Sequence, residues 1–257
     1  MYQKELKICK EAIFEASKEI LKIYNKPFEV YEKDDNSPVT KADLVANKII
    51  VKKLINNFDY NIISEESQNQ IKNSNKSFII DPIDGTKEFI KKNGEFSINI
   101  AILNKNELEF GIIYAPVLDE LYYAIKDKGA YFEKDNKVKK INVSKNKGKV
   151  NLLISQSNQR KKSLKLIKKN RKKINKIDRL GSSLKGCKIA KGEADAYYRF
   201  GPTSIWDTAA MEVIVTQAGG KLLKMDNKRI DYTKDNPINP SFFIINDLEN
   251  KFKLNNI

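Results

Sequence analysis

Apolar residues recur at helical spacing from the start of the chain. Leu6, Cys9, Ile13, Ala16, Ile20 and Ile23 alternate with lysines and glutamates, which predicts an amphipathic helix over residues 3 to 24. Asn25-Lys26-Pro27 ends it, and Asp34-Asp35-Asn36-Ser37-Pro38 reads as a loop. A second helix opens between Thr40 and Asp43 and carries Leu44, Ile50, Val51 and Leu54. Thr40 suits its N-cap, with Asp43 at the third helical position as in a capping box. The period then shortens. Apolar runs of strand length at 61–63 and 78–80 each end abruptly in acids. Alternation over 96–103, 110–114, 121–125 and 130–132 predicts consecutive antiparallel strands.

Beyond residue 150 strand and helix patterns take turns. Strands are expected at 152–155, 174–177 and 196–200, and helices around 164–169, 183–191 and 206–217, the last closed by Gly219-Gly220. No internal repeat or low-complexity linker interrupts the chain. The expected architecture is α/β of mixed α+β character with two sheets. A Lys/Asn/Gly-rich stretch from Ser144 to Lys149 divides an N-terminal part (1–145) from a C-terminal part (146–257).

Composition narrows the chemistry more than the fold. A chain of 257 residues with 40% apolar and 32% charged residues is large enough to bury a sizeable core, which excludes a disulfide-stapled miniprotein. No run reaches the roughly 18 apolar residues of a membrane span. MYQKELKICK resembles neither a signal peptide nor a transit peptide, so a cytoplasmic protein is expected. Cys9 and Cys187 show no metal-ligand spacing and read as core thiols; Glu193 stands where a C-x5-R phosphatase loop would need arginine. Histidine is absent, which removes Ser-His-Asp and Cys-His machinery and imidazole-based zinc sites. Catalysis must therefore run on carboxylates, hydroxyls, lysines or bound metal.

The net charge is +15, and the window Arg160 to Arg179 supplies most of it, with eleven Lys/Arg against one acid, Asp178. This stretch has no interleaved aromatics, and Leu164, Leu166, Ile167, Ile174 and Ile177 read as its buried side. A solvated face, an anion-attracting surface for polyphosphorylated ligands, and peripheral contact with the inner membrane are the readings it leaves open. Nucleic-acid binding is not expected.

The most informative segment is Asp81-Pro82-Ile83-Asp84-Gly85-Thr86, at the end of a buried-type strand. Two carboxylates that close repel unless a proton or cation lies between them. With oxygen ligands alone the cation is a hard one, Mg²⁺ before Mn²⁺ and far before zinc. Taken alone, the segment equally suits a turn whose acids cap backbone amides. Glu65 and Glu66, however, also end a strand, and Asp207 opens a helix behind the only tryptophan. Acids at three such places favour a shared site for two or three magnesium ions, which suits phosphoryl chemistry by lowering the pKa of water and stabilising charge on the transferring phosphoryl group. Gly85 and Thr86 offer amides to a phosphate, and Thr86 with Asp43 is the hydroxyl–carboxylate pair available to orient and deprotonate a water.

Asp43 within VTKAD, Glu65-Glu66, DPIDGT at 81–86 and WDTAA at 206–210 occur in the order of the inositol monophosphatase superfamily signature, which this chain resembles over nearly its whole length. NSPVTKAD at 36–43, DPIDGTKEFIKKNGEFSINIA at 81–101, GSSLK at 181–185 and RFGPTSIWDTAA at 199–210 are similar to its CysQ branch, the bacterial 3'(2'),5'-bisphosphate nucleotidases. The resemblance implies a layered α-β-α-β-α sugar-phosphatase-like fold and lithium-sensitive, magnesium-dependent removal of the 3'-phosphate of adenosine 3',5'-bisphosphate in sulfur assimilation. It implies Glu65, Asp81, the Ile83 carbonyl, Asp84 and Asp207 as metal ligands, with Asp81 bridging. Thr86 and Asp43, with Glu65, serve the attacking water, and Gly85 and Thr86 hold the scissile phosphate. Ser182, Ser183 and Lys185 match the stretch near the second phosphate, joined by Tyr198 and Arg199. An inositol or sugar phosphatase of the same superfamily is the alternative, and a haloacid dehalogenase phosphatase is disfavoured because D-x-x-D replaces D-x-D.

Overall fold

The apolar stripe of residues 3 to 24 becomes α1 (Gln3–Tyr24), which buries Cys9, Ile13, Ala16 and Ile20. The computed structural model describes residues 2–33, 38–157 and 161–254; the expected loop residues 34–37 and Arg160 of the basic stretch lie outside the described residues. A short antiparallel pair, β1 (Val30–Glu32) and β2 (Pro38–Thr40), leads into α2 (Lys41–Ile55). Thr40 caps α2 as its sequence predicts, and Asp43 reciprocates by accepting the Thr40 amide at 2.8 Å. Leu44 departs from expectation and is exposed. Ala42, Ala46, Ile50 and Leu54, four residues apart, form the inward stripe, and position 44 falls on the opposite face.

The central chain folds as β3 (Asn61–Ser64), β4 (Ser67–Gln70), β5 (Lys76–Asp84), the short α3 (Thr86–Ile90), β6 (Ser97–Asn104), β7 (Glu107–Ala115), β8 (Glu120–Ile125), β9 (Gly129–Lys134) and β10 (Lys137–Ile141). Its eight strands form one sheet in the order β10-β9-β8-β7-β6-β5-β3-β4, antiparallel except where β3 runs parallel to β5. The rest of the chain gives β11 (Val150–Ser155), α4 (Lys161–Lys169), β12 (Ile174–Leu180), α5 (Leu184–Ala190), β13 (Ala196–Arg199), β14 (Thr203–Ser204), α6 (Ile205–Gln217), β15 (Lys221–Lys224), β16 (Ile238–Asn239) and β17 (Phe242–Ile245). A five-stranded sheet is ordered β12-β11-β13-β17-β15, and β14 pairs with β16.

Strand alternation assigns the layers. Ile98, Ile100 and Ile102 on β6 pack under α1 and α2, whereas Ala101 and Leu103 face α5, α6 and the inner side of the second sheet. On that second sheet Leu153, Tyr197 and Ile244 face inward, and Leu152, Tyr198 and Phe243 face outward together with Leu166 of α4. The order is therefore α-β-α-β-α, as the resemblance implied. Gly111 of β7 lets α6 sit directly on the first sheet: a Cβ there would stand 2.6 Å from the Ala210 carbonyl oxygen and push the helix away.

Beyond the expected elements lie α3, the β1–β2 pair, β4, β10 and β14 to β17. The basic stretch is less buried than its pattern suggested. Leu166 and Ile174 are inside, but Leu164 is 56% and Ile177 36% exposed, because β12 is an edge strand and α4 covers it incompletely. Both cysteines are buried free thiols. No described helix is long and apolar enough to cross a membrane.

Candidate active site

Parallel pairing of β3 with β5 brings the first two acids together. Ser64 lies opposite Ile80, so the next residues, Glu65 and Asp81, are neighbours; the Glu65 amide donates to the Ile80 carbonyl at 3.2 Å. Asp81 and Asp84 would point to opposite faces of a regular strand. The four residues of β5 from Asp81 to Asp84, however, lie against only three of β6, Asn99 to Ser97. The bulge turns both carboxylates to one side and accommodates Pro82, whose missing N–H a continuous ladder would expose.

Asp207 reaches the same point from across the interior. It is the third residue of α6, and its Oδ2 accepts the Ser204 amide at 2.7 Å. Carboxylate oxygens of Asp81, Asp84 and Asp207 lie within 4.8 Å of one another. Asp81 Oδ1 accepts the Ile83 amide at 3.1 Å, but its Oδ2 is buried without a partner. An orphaned buried carboxylate oxygen amid other acids, with oxygen donors only, fits a hard divalent cation.

Burial and mutual repulsion push these acids up. Asp81 is raised well above the carboxylate range, first by burial and then by the charges of Glu65, Asp84 and Asp207. Asp207 is pushed to about 7 by burial, then by Asp84 and Glu65. Burial also raises Glu65, against the lowering effect of Lys33.

Asp43 and Thr86 meet beside this cluster. The α2 cap fixes Asp43, whose Oδ2 takes the Thr40 hydroxyl at 2.6 Å, while Oδ1 faces the Thr86 hydroxyl at 3.4 Å. Thr86 Oγ1 also lies 3.3 Å from the Ile83 carbonyl, so one hydroxyl proton serves two acceptors. Burial lifts Asp43 to about 6, opposed by its bonds to Thr40. Gly85, at φ +93°, precedes α3, whose first-turn amides have no intrahelical acceptor.

These groups open onto a cleft of about 240 Å³ lined by Glu65, Asp84, Gly85, Thr86, Ser182, Ser183, Lys185, Arg199 and Asp207, among others. Ser183 is buried with its hydroxyl and amide on Asp84, and its hydroxyl also lies 2.9 Å from the Asp207 carbonyl, so it ties two acids together. Ser182 has φ +45°, a strained conformation for a non-glycine residue. Lys185 is buried with its ammonium on the Leu180 and Ser182 carbonyls and 5.2 Å from the Tyr197 ring. Burial lowers its pKa to about 8, with Asp84 opposing. Arg199 lines the cleft with its Nε buried and unsatisfied. Tyr198 turns away: alternation sends it to the outer face, stacked on Phe243 and Phe252, and Tyr197 takes the cleft position.

Two contributors were missed in the sequence. Lys33 pairs with Glu65 at 2.8 Å and with Glu66. Nothing but its place beside an acidic loop marked it. Asn99 donates to Asp84 at 3.3 Å and to the Ser183 hydroxyl at 3.0 Å; the signal was an amide in an otherwise apolar strand.

Residues 1–252 match the model of the inositol monophosphatase family. The chain is 43% identical over 220 residues to the 3'(2'),5'-bisphosphate nucleotidase CysQ of Buchnera aphidicola subsp. Acyrthosiphon pisum (strain APS), covering 83% of this chain and 82% of that one. It is 37% identical over 230 residues to the protein of the same name from Salmonella typhimurium strain LT2, covering 87% and 92%. The crystal structure of CysQ from Bacteroides thetaiotaomicron superposes with a TM-score of 0.83 at 32% identity, covering 96% of this chain and 99% of that one.

Proposed function

Because this chain belongs to the inositol monophosphatase family, we propose that it is a magnesium-dependent phosphatase that removes the 3'-phosphate of adenosine 3',5'-bisphosphate, giving AMP and phosphate, in sulfur assimilation. The observation that carries the reading is the orphaned Asp81 oxygen among Asp84, Asp207 and Glu65, on the floor of a cleft whose rim holds Lys185 and Arg199. Glu65, Asp81, Asp84, Asp207 and the Ile83 carbonyl would hold two or three ions, which when bound supply charge neutralisation and activation of water. Gly85 and Thr86, at the entry to α3, hold the scissile phosphate. Asp43 accepts the Thr86 proton, which leaves a lone pair of Thr86 Oγ1 to orient the attacking water and take its proton. The raised Asp43 carboxyl is suited to that task near neutral pH. The test is chromatography of the nucleotide product: 5'-AMP is expected with magnesium and unchanged substrate with a chelator. Release of the 5'-phosphate, or turnover indifferent to chelation, would sink the reading.

Magnesium binding is expected to release protons. Asp207, at about 7, is largely protonated at pH 6.5, and a cation requires the ionised form. The same sign governs the metal-free fold. A carboxyl raised in the folded state loses stability as pH climbs from the unfolded value near 4 through about 7, and bound cation restores it. Calorimetry at pH 6.5 in buffers of different ionisation enthalpy should give heats that differ by the ionisation of at least about one proton, from Asp207 and from Asp81, which burial raises further. Buffer-independent heats would place magnesium elsewhere.

The second phosphate is assigned to Lys185 with Ser182 and Ser183, joined by Arg199. Lys185→Met keeps the buried volume and is expected to lower kcat/KM for the bisphosphate by about one to two orders of magnitude, the scale of a lost charge-assisted hydrogen bond. Monophosphates should be nearly unaffected. Equal losses for both would place Lys185 in the fold, and a loss confined to Arg199→Gln would give the second phosphate to that residue.

A further inference from the structure

The densest charge on the molecule lies beside the cleft. From Lys161 to Arg179 there are ten Lys/Arg and one acid, Asp178, which pairs with Lys176 at 2.9 Å. Lys161, Lys162, Lys165, Lys168, Lys172 and Lys173 are exposed and have no carboxylate partner among the described residues. Elsewhere lysines do find acids, as Lys10 finds Glu133, Lys126 finds Glu107 at 2.7 Å, and Lys147 finds Glu249 at 2.7 Å. On α4, Lys161 and Lys165 stand one turn apart, an arrangement that costs about 0.2–0.5 kcal/mol for a like-charge pair.

Position relates this lobe to the site. Ser163, Leu164 and Ile167 of α4 share a small notch with Ser155, Tyr197 and Arg199. Those last three also line the main cleft. Lys87 also lines the cleft, and Lys91 donates to the Ser157 hydroxyl, just before α4, at 3.0 Å. Cations thus stand at the cleft as well as on the lobe beside it, whereas the floor is carboxylate. Bound cations would offset the floor's acids, so the long-range field at the mouth is set by the lysines of the rim and of the lobe beyond.

We infer that the basic lobe of α4 and β12 is an electrostatic capture surface for the cleft's own polyanionic substrate, raising kcat/KM without touching the bound ligand. The inference rests on the bisphosphate reading above. Two phosphates at about −1.5 to −2 each make that substrate a multivalent anion. A field of one sign beside a cleft raises local substrate concentration and association by about 10- to 10³-fold at low salt, and salt screens it. Monophosphates, with half the charge, gain about the square root of that factor.

The test is the quadruple variant Lys161→Gln, Lys162→Gln, Lys165→Gln and Lys168→Gln, at exposed positions of one helix, assayed at about 20 mM and about 500 mM salt, where the screening length shrinks several-fold. At low salt kcat/KM for adenosine 3',5'-bisphosphate is expected to fall about 10-fold, with kcat unchanged and about a 3-fold loss for adenosine monophosphates. At high salt variant and parent should coincide. An equal loss at both salt concentrations, or none at low salt, overturns capture. So does a variant with parental kinetics that has instead lost binding to anionic vesicles or RNA. A parent enzyme that turns over monophosphates but never the bisphosphate overturns the functional reading and this inference with it; salt-insensitive turnover of the bisphosphate overturns capture alone.

Discussion

Asp84→Asn is expected to cut phosphate release by about 10³-fold or more, the scale of several kcal/mol of lost transition-state charge stabilisation. The fold should survive. The amide oxygen of asparagine can still accept from the Ser183 amide, so the tie between β5 and the segment before α5 persists. One negative charge fewer beside Asp81 and Asp207 relieves repulsion that burial makes expensive. Without magnesium the variant should therefore melt no lower than the parent, and at alkaline pH higher. Calorimetry should show weakened magnesium binding. Near-parental turnover in saturating magnesium would contradict the assignment of Asp84 to the metal cluster.

Thr86→Val should lower kcat by about 10²-fold or more, the usual scale for losing proton-transfer assistance, with magnesium affinity preserved. Valine keeps the shape and removes the hydroxyl that lies 3.4 Å from Asp43 and 3.3 Å from the Ile83 carbonyl. Asp43 keeps its two bonds from Thr40, so the α2 cap stands and stability should change little. The rate loss should be the same at every magnesium concentration. If raising magnesium restored the rate, Thr86 would be acting through metal occupancy and not through water.

These expectations rest on residues that differ in how openly the sequence showed them. The acids at 65, 81 and 84 were visible because each ends an apolar run, and a strand that stops in carboxylates has few structural reasons to do so. Their convergence required a fact the pattern does not carry. The parallel register of β3 on β5 sets Glu65 against Asp81, and a bulge after Asp81 turns Asp84 to the same side. Asp43 was legible twice, as a capping residue and as a candidate base, and the structure gives one oxygen to each neighbour.

Other features were hidden for physical reasons. β10 is exposed along most of its length and alternates with nothing, so it left no apolar signature. Phe242 to Ile245 is apolar enough, but a run of four without alternation does not separate strand from buried helix. The basic stretch misled in the other direction, because periodic leucines and isoleucines promise burial only where a neighbour exists to cover them. Lys33 carries no motif at all, and only the fold brings its ammonium to Glu65.

The central claim is that a carboxylate-held metal site in this chain acts on a bisphosphate nucleotide. Its most direct test is kcat/KM for phosphate release from adenosine 3',5'-bisphosphate, inositol 1-phosphate and fructose 1,6-bisphosphate, each with magnesium and with chelator. The account predicts magnesium-dependent release with the nucleotide preferred over inositol 1-phosphate by about one to two orders of magnitude, since losing the second-phosphate contacts costs about that much, and preferred also over fructose 1,6-bisphosphate, whose second phosphate is carried on a different scaffold. Equal or greater kcat/KM for inositol 1-phosphate or fructose 1,6-bisphosphate would contradict it.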